Sequence, residues 1–183
     1  ATNRGVTQAV YDAYRKTRGK AGQSVKFITD EEVNAIYKFQ YWDRVQGDLL
    51  PAGLDYAVFD FAVNSGVGRA SKYLQAVLGV AQDGQIGART LAAIQSPVNA
   101  INALCDRRMS FLRNLRTFLT FGKGWTARLE AVEKFALAVA DHAPPVRPDV
   151  VPVPPKSDPQ AFGLAWLIKT IIAGLALLFR RRK

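Results

Sequence analysis

Leu54-Asp55-Tyr56-Ala57-Val58-Phe59-Asp60-Phe61-Ala62-Val63-Asn64-Ser65-Gly66 is the stretch on which the fold turns. Leu54, Val58, Phe61 and Ala62 recur at the spacing of a helix of 3.6 residues per turn, so they form one apolar stripe. Asn64-Ser65-Gly66 supplies the stop, and Pro51 suits the first helical turn. The same helical logic extends both ways. Upstream, Thr7 caps a helix through Tyr11, Ala13 and Tyr14 that stops at Gly19. Thr29-Asp30-Glu31-Glu32 is a capping-box signature, followed by Val33, Ile36, Tyr37 and Tyr41 on one face. Downstream, Tyr73, Leu74, Val77 and Leu78 end at Gly79, and Asp83-Gly84-Gln85-Ile86-Gly87 is a turn. Ser96-Pro97 opens a long helix through Ile101, Leu104, Cys105, Arg108, Leu112 and Leu115, which Gly122 and Gly124 are expected to break before a last helix from about Trp125 to Asp141. No alternating pattern of any length appears, although a short ribbon around Val25–Phe27 is possible. The fold class expected is all-α.

The carboxy-terminal 40 residues read differently. Seven of the nine prolines fall in residues 144–160, an extended polyproline-like spacer. From Phe162 to Phe179 the chain is apolar except for Lys169, and Arg180-Arg181-Arg182-Lys183 follows. Eighteen residues make a helix of about 27 Å, close to the hydrocarbon thickness of a bilayer. The expectation is therefore three parts: a helical domain at 1–143, a linker at 144–160 and a transmembrane anchor at 161–183. The basic end should stay cytoplasmic. That makes a single-pass inner-membrane protein of a bacterium, with its helical domain periplasmic and residues 162–179 in the lipid bilayer.

The net charge of +10 divides along the same line. Residues 1–143 carry 18 Lys/Arg and 13 Asp/Glu, and residues 144–183 carry 7 and 2. Half the basicity thus belongs to linker and anchor, which argues against a nucleic-acid surface; the rest favours polyanions such as wall polymer or lipid headgroups. Cys105 is the single cysteine and His142 the single histidine. Those parts make no disulfide, zinc site or Ser–His–Asp triad, and no metal or cofactor is expected. Cys105, within an apolar stripe, reads as a buried inert thiol. Asp43, Asp48, Asp55 and Asp60 are the nearest thing to paired carboxylates. Asp55 and Asp60 lie five apart on one helix and do not share a face well, so each reads as a solvated or capping acid.

Ala1-Thr2-Asn3-Arg4-Gly5-Val6-Thr7, Ile36-Tyr37-Lys38-Phe39-Gln40-Tyr41-Trp42-Asp43, Phe59-Asp60-Phe61-Ala62-Val63-Asn64-Ser65-Gly66, Leu74-Gln75 and Asp83-Gly84-Gln85-Ile86-Gly87 together cover most of residues 1–95. In combination they resemble the glycoside hydrolase 108 family of N-acetylmuramidases, with its carboxy-terminal predicted peptidoglycan-binding region. The resemblance implies a lysozyme-like helical domain that cleaves the glycan strand of peptidoglycan, in wall remodelling or in phage-type lysis as an endolysin. Family members open with a Glu-Gly-Gly-Tyr helix end that carries the catalytic Glu, then an Asp-Pro-Gly-Gly segment, then Thr-Asn-x-Gly-Ile/Val-Thr. This chain begins inside the last motif. The resemblance therefore implies that the general acid is missing from these residues and that the chain is inactive as given. It places Thr2 at the Thr of a catalytic Glu, Asp, Thr trio. It also places Tyr41, Trp42 and Asn64 near the glycan groove, where flat aromatic faces and an amide would hold sugar rings. Tyr41 and Trp42 equally suit core packing, and Asn64 a helix C-cap. The alternative function is a non-catalytic peptidoglycan-binding membrane protein, a truncated or decayed relative.

Overall fold

In the computed structural model, residues 1–142 are described. They fall into two compact units, Ala1–Gln40 and the chain from Tyr41 onward.

The first unit opens with a hairpin that the periodicity did not announce. Strands β1 (Thr2–Asn3) and β2 (Val6–Thr7) pair antiparallel, Thr2 opposite Thr7 and Asn3 opposite Val6. Arg4 and Gly5 make the turn with φ of 51° and 78°. Positive φ at both central residues is the hairpin geometry that matches strand twist. Asn3 ties the hairpin down by donating from Nδ2 to the carbonyls of Val25 (3.1 Å) and Lys26 (3.2 Å). The possible ribbon at Val25–Phe27 is instead a 3-10 turn capped by Ser24. Helix α1 (Gln8–Thr17) starts at Thr7, whose hydroxyl accepts from Val10 N. Helix α2 (Asp30–Tyr37) starts in the expected capping box. Glu32 is the centre of this unit. Its carboxylate accepts from the Tyr11 hydroxyl (2.5 Å), Arg15 Nη1 (3.0 Å), Lys20 Nζ (3.3 Å) and Thr29 N (3.3 Å). Burial raises its pKa, but these donors outweigh burial and hold it below the ordinary value.

A π-helical turn, Lys38–Trp42, and two 3-10 turns lead to α3 (Leu54–Ser65). Pro51 lies just ahead of this helix, and Gly53 is its N-cap. Leu54, Tyr56, Ala57, Val58, Phe59, Asp60, Phe61 and Ala62 are all buried. A helix buried all round is a core helix, not a one-faced surface helix. It packs on α4 (Val67–Val77), α6 (Pro97–Arg113) and α7 (Phe118–His142). A short α5 (Ala88–Ala92) follows the Asp83–Gly87 turn. That turn is clipped by one side chain. Gln75 donates Nε2 to Asp83 Oδ1 (2.6 Å) and the Gln85 carbonyl (2.9 Å), and accepts from Gly84 N (2.8 Å).

The long helix from Pro97 ends at Arg113, not at the glycines, and α7 runs unbroken through Gly122 and Gly124. Isolated glycines cost about 1 kcal/mol each in a helix. A Cβ at Gly122 would stand 2.9 Å from the Phe118 ring, so glycine is what lets that ring pack down.

The all-α expectation holds apart from the small hairpin, but the membrane part of it is corrected. Among the described residues no helix is long and apolar enough to cross a membrane. The longest, α7, has 25 residues but carries Lys123, Arg128, Glu130, Glu133, Lys134 and Asp141. Within the described residues this corrects the expected architecture with one spanning helix and the single-pass inner-membrane location, since no spanning helix occurs there. The linker and anchor expected at 144–160 and 161–183 lie outside the described residues.

Candidate functional site

Thr2 is exposed at the start of β1. Residues directly opposite in an antiparallel pair project from the same face, so Thr2 and Thr7 stand side by side. Thr7 spends its hydroxyl on the α1 amide of Val10. No carboxyl among the described residues hydrogen-bonds to Thr2.

Tyr41 and Trp42 follow one another in the π-helical turn and have different fates. Tyr41 is half-buried. Trp42 is 7% exposed. Its Nε1 donates to Asp48 Oδ1 (2.7 Å), its ring meets Phe59 edge to face at 5.4 Å, and Gly47 lies so close that a Cβ there would fall 2.3 Å from the indole. The indole is therefore built into the core. Asn64 sits in the last turn of α3, donating Nδ2 to the Asp60 carbonyl (2.7 Å), while Gly66 (φ 92°) takes the cap.

Asn64 also lines a cavity of about 270 Å³ that sequence reasoning missed. Ser65 of α3, Arg69 of α4, Arg108 and Phe111 of α6, and Trp125 and Arg128 of α7 complete its polar and aromatic lining. Its electrostatics begin at Asp60, which is fully buried. Arg108 Nη1 donates to Oδ1 (2.7 Å), and Arg128 donates to Oδ2 from Nη2 (2.5 Å) and Nε (3.1 Å). Burial raises the Asp60 pKa, yet the two guanidiniums outweigh it and hold the carboxyl below its ordinary value. Two cations on one buried anion leave a positive excess. Arg69 adds to it, its guanidinium stacked 4.4 Å from the Phe111 centroid. Sequence did hold one signal for this cavity. Arg108 interrupts an otherwise apolar stripe, and a buried arginine demands a partner.

The remaining acids do not assemble a site. Asp55, half-buried at the start of α3, is pushed up to about 6 by burial, with Asp48 contributing, while its Oδ1 accepts from Tyr56 N (2.6 Å). Cys105 is buried and pushed up to about 12 by burial and then by Glu133, which makes it an inert thiol. No group of three metal-ligating side chains occurs among the described residues.

Comparison with known proteins bears on both regions. Residues 1–66 match the family described as glycosyl hydrolase 108, and residues 69–130 match one described as a predicted peptidoglycan domain. The solved structure of SagA from Brucella abortus is 47% identical, with a TM-score of 0.68, over 78% of this chain and 82% of that one. The chain belongs to the glycosyl hydrolase 108 family. No match is found among curated proteins. As a glycosyl hydrolase 108 chain it is a peptidoglycan-hydrolase-like or peptidoglycan-binding protein, a glycoside hydrolase by family, and peptidoglycan is its partner. The arginine-lined cavity falls mostly within the peptidoglycan-domain match, and the hairpin falls within the hydrolase match.

Proposed function

We propose that the chain acts as a muramidase, hydrolysing the glycan strand of peptidoglycan. The observation that best supports this is the hairpin, which holds Thr2 exposed beside a threonine already committed to capping. In this reading the Thr2 hydroxyl orients the attacking water or steadies the developing oxocarbenium charge. Tyr41 meets a sugar ring. Trp42, locked on Asp48 and Phe59, holds the turn that carries Tyr41.

Glycoside cleavage also needs a carboxylic acid that keeps its proton near neutrality. Asp60 and Glu32 are held low by their cationic and hydroxyl partners and do not serve. We expect the 183-residue polypeptide by itself to release no reducing sugar from purified sacculi. We expect the same chain joined to the family's Glu-Gly-Gly-Tyr segment to release it, since general acid catalysis contributes about 10²–10⁴-fold. In that longer form, Thr2→Ala should lower sugar release at least about tenfold. Thr7→Ala should mainly cost about 1 kcal/mol of stability through the lost cap. Undiminished release by Thr2→Ala removes Thr2 from the mechanism. Release by the 183 residues alone, abolished by Asp55→Asn, would make Asp55 the acid.

A second reading, a peptidoglycan binder without catalysis, is favoured by the cationic cavity within the peptidoglycan-domain match. Co-sedimentation with sacculi, with no sugar release even from the longer form, selects it.

A further inference from the structure

We infer that the cavity between α3, α4, α6 and α7 binds a free carboxylate of the peptidoglycan stem peptide, so that this part of the chain reads the peptide and not the glycan. The inference rests on peptidoglycan being the partner and goes one step further, to the part of the polymer recognised.

Three observations carry it. Arg69, Arg108 and Arg128 line one small cavity whose charge is met from inside by Asp60 alone. Among the described residues no carboxylate pairs with Arg69. The second observation is a buried donor left over. Arg108 is 4% exposed, and its Nε has no hydrogen-bond partner. An unpaired N–H on a buried guanidinium is costly, and it marks Arg108 as a cation whose hydrogen-bonding capacity Asp60 does not exhaust. The third is the rest of the lining: Phe111 and Trp125 with Leu112 give apolar and aromatic walls beside the cationic rim.

That combination suits a planar anion carried on a small apolar residue. Guanidinium forks match carboxylates in two-point fashion. Neutral sugar hydroxyls have no use for a cluster of fixed positive charges. Stem peptides present free carboxylates next to alanine methyl groups. The cavity volume, about 270 Å³, lies just below the usual range of small-molecule sites. It admits a peptide end more readily than a disaccharide.

Arg69 is the residue to change, because it is exposed, holds no described ion pair and lies outside the Asp60 cluster. The test is calorimetric titration of the full 183-residue chain. The probes are synthetic L-Ala-γ-D-Glu-meso-diaminopimelyl-D-Ala with free carboxylates, the same peptide with its carboxylates amidated, chitotetraose and inorganic phosphate. The free-acid peptide should bind. Amidation and Arg69→Met should each weaken binding at least about tenfold, the usual worth of one charged hydrogen bond. Arg69→Lys should recover part of that loss. Equal binding of acid and amide, no effect of Arg69→Met, displacement by an equal concentration of phosphate, or no peptide binding at all would each overturn the inference. Co-sedimentation with intact sacculi and with glycan strands stripped of peptide separates the two levels. Sedimentation with both but no peptide binding defeats the cavity assignment and leaves the wall reading standing. Sedimentation with neither defeats both.

Discussion

Asp60 is a single acid on which three helices depend. Its carboxylate on α3 receives Arg108 from α6 and Arg128 from α7, in a fully buried place. Such a cluster adds little over a well-packed apolar core, but removing one member strands the others as uncompensated buried charge. Asp60→Asn should therefore cost about 3–5 kcal/mol, read as a lowered denaturant midpoint with an unchanged slope. Acid should act on the same group. Its folded pKa is depressed, so its contribution is complete above the ordinary carboxylate value of 3.8 and is lost as pH falls through the lower folded value. The variant should lose that part of the acid sensitivity, and a variant as stable as the parent would show that the arginines find other partners. A residue as small as an aspartate carries this role without a local signature: Asp60 reads in sequence as one solvated acid among four. Its partners are 48 and 68 positions away, beyond the reach of any periodicity.

Among the elements, those fixed by local chemistry were legible and those fixed by packing were not. Thr7, Thr29 and Ser96 each cap the helix expected of them, because a hydroxyl reaching an amide two or three residues on is a local event. The β1–β2 hairpin escaped notice because two-residue strands have no period to detect. The breaks assigned to Gly122 and Gly124 failed because close packing overrides propensity. Gly53 shows the same rule at a helix start. It holds φ at +85°, and a Cβ there would come within 2.2 Å of the Ala136 carbonyl of α7. Gly53→Ala should lower stability by about 2 kcal/mol or more, through left-handed strain together with separation of α3 from α7. A thermal melt followed by circular dichroism is the measurement, and a melting temperature equal to the parent's would mean that the two helices yield without cost.

For the molecule as a whole, the sequence disclosed helical class and family, because caps and motifs are distributed along the chain. It suggested a spanning helix that the described residues do not contain, and it hid the cavity, whose lining comes from residues 64 to 128. The candidate site is correspondingly divided. Thr2 is proposed through motif resemblance, whereas the arginines become a group only when the helices are packed. The stability of the molecule against pH should carry a second, opposite contribution besides that of Asp60. Asp55 has a folded value of about 6 against an ordinary 3.8. Between these values the folded chain binds more protons than the unfolded one, so stability falls as pH rises through that window and stays lower above it. Asp55→Asn keeps an oxygen for the Tyr56 amide. It should raise stability at pH 7 by about 1–3 kcal/mol, with the gain vanishing below about pH 4. Denaturation curves at pH 4 and pH 7 decide it; an equal effect at both would mean that the carboxyl ionises normally.

The clip made by Gln75 turns a question of shape into one of time. A surface turn with two glycines would ordinarily exchange its amide protons with water almost as fast as an unfolded chain. Here the Gly84 amide is given to a side chain rooted in α4 and itself only 1% exposed. That proton can leave only when Gln75 releases it, and release also breaks the bonds of Gln75 to Asp83 and the Gln85 carbonyl. The Gly84 amide should thus exchange more slowly than its place in a surface turn would suggest. In a chain whose partner is a stiff, insoluble wall polymer, the Asp83–Gly87 segment is a surface turn whose shape is set before any encounter.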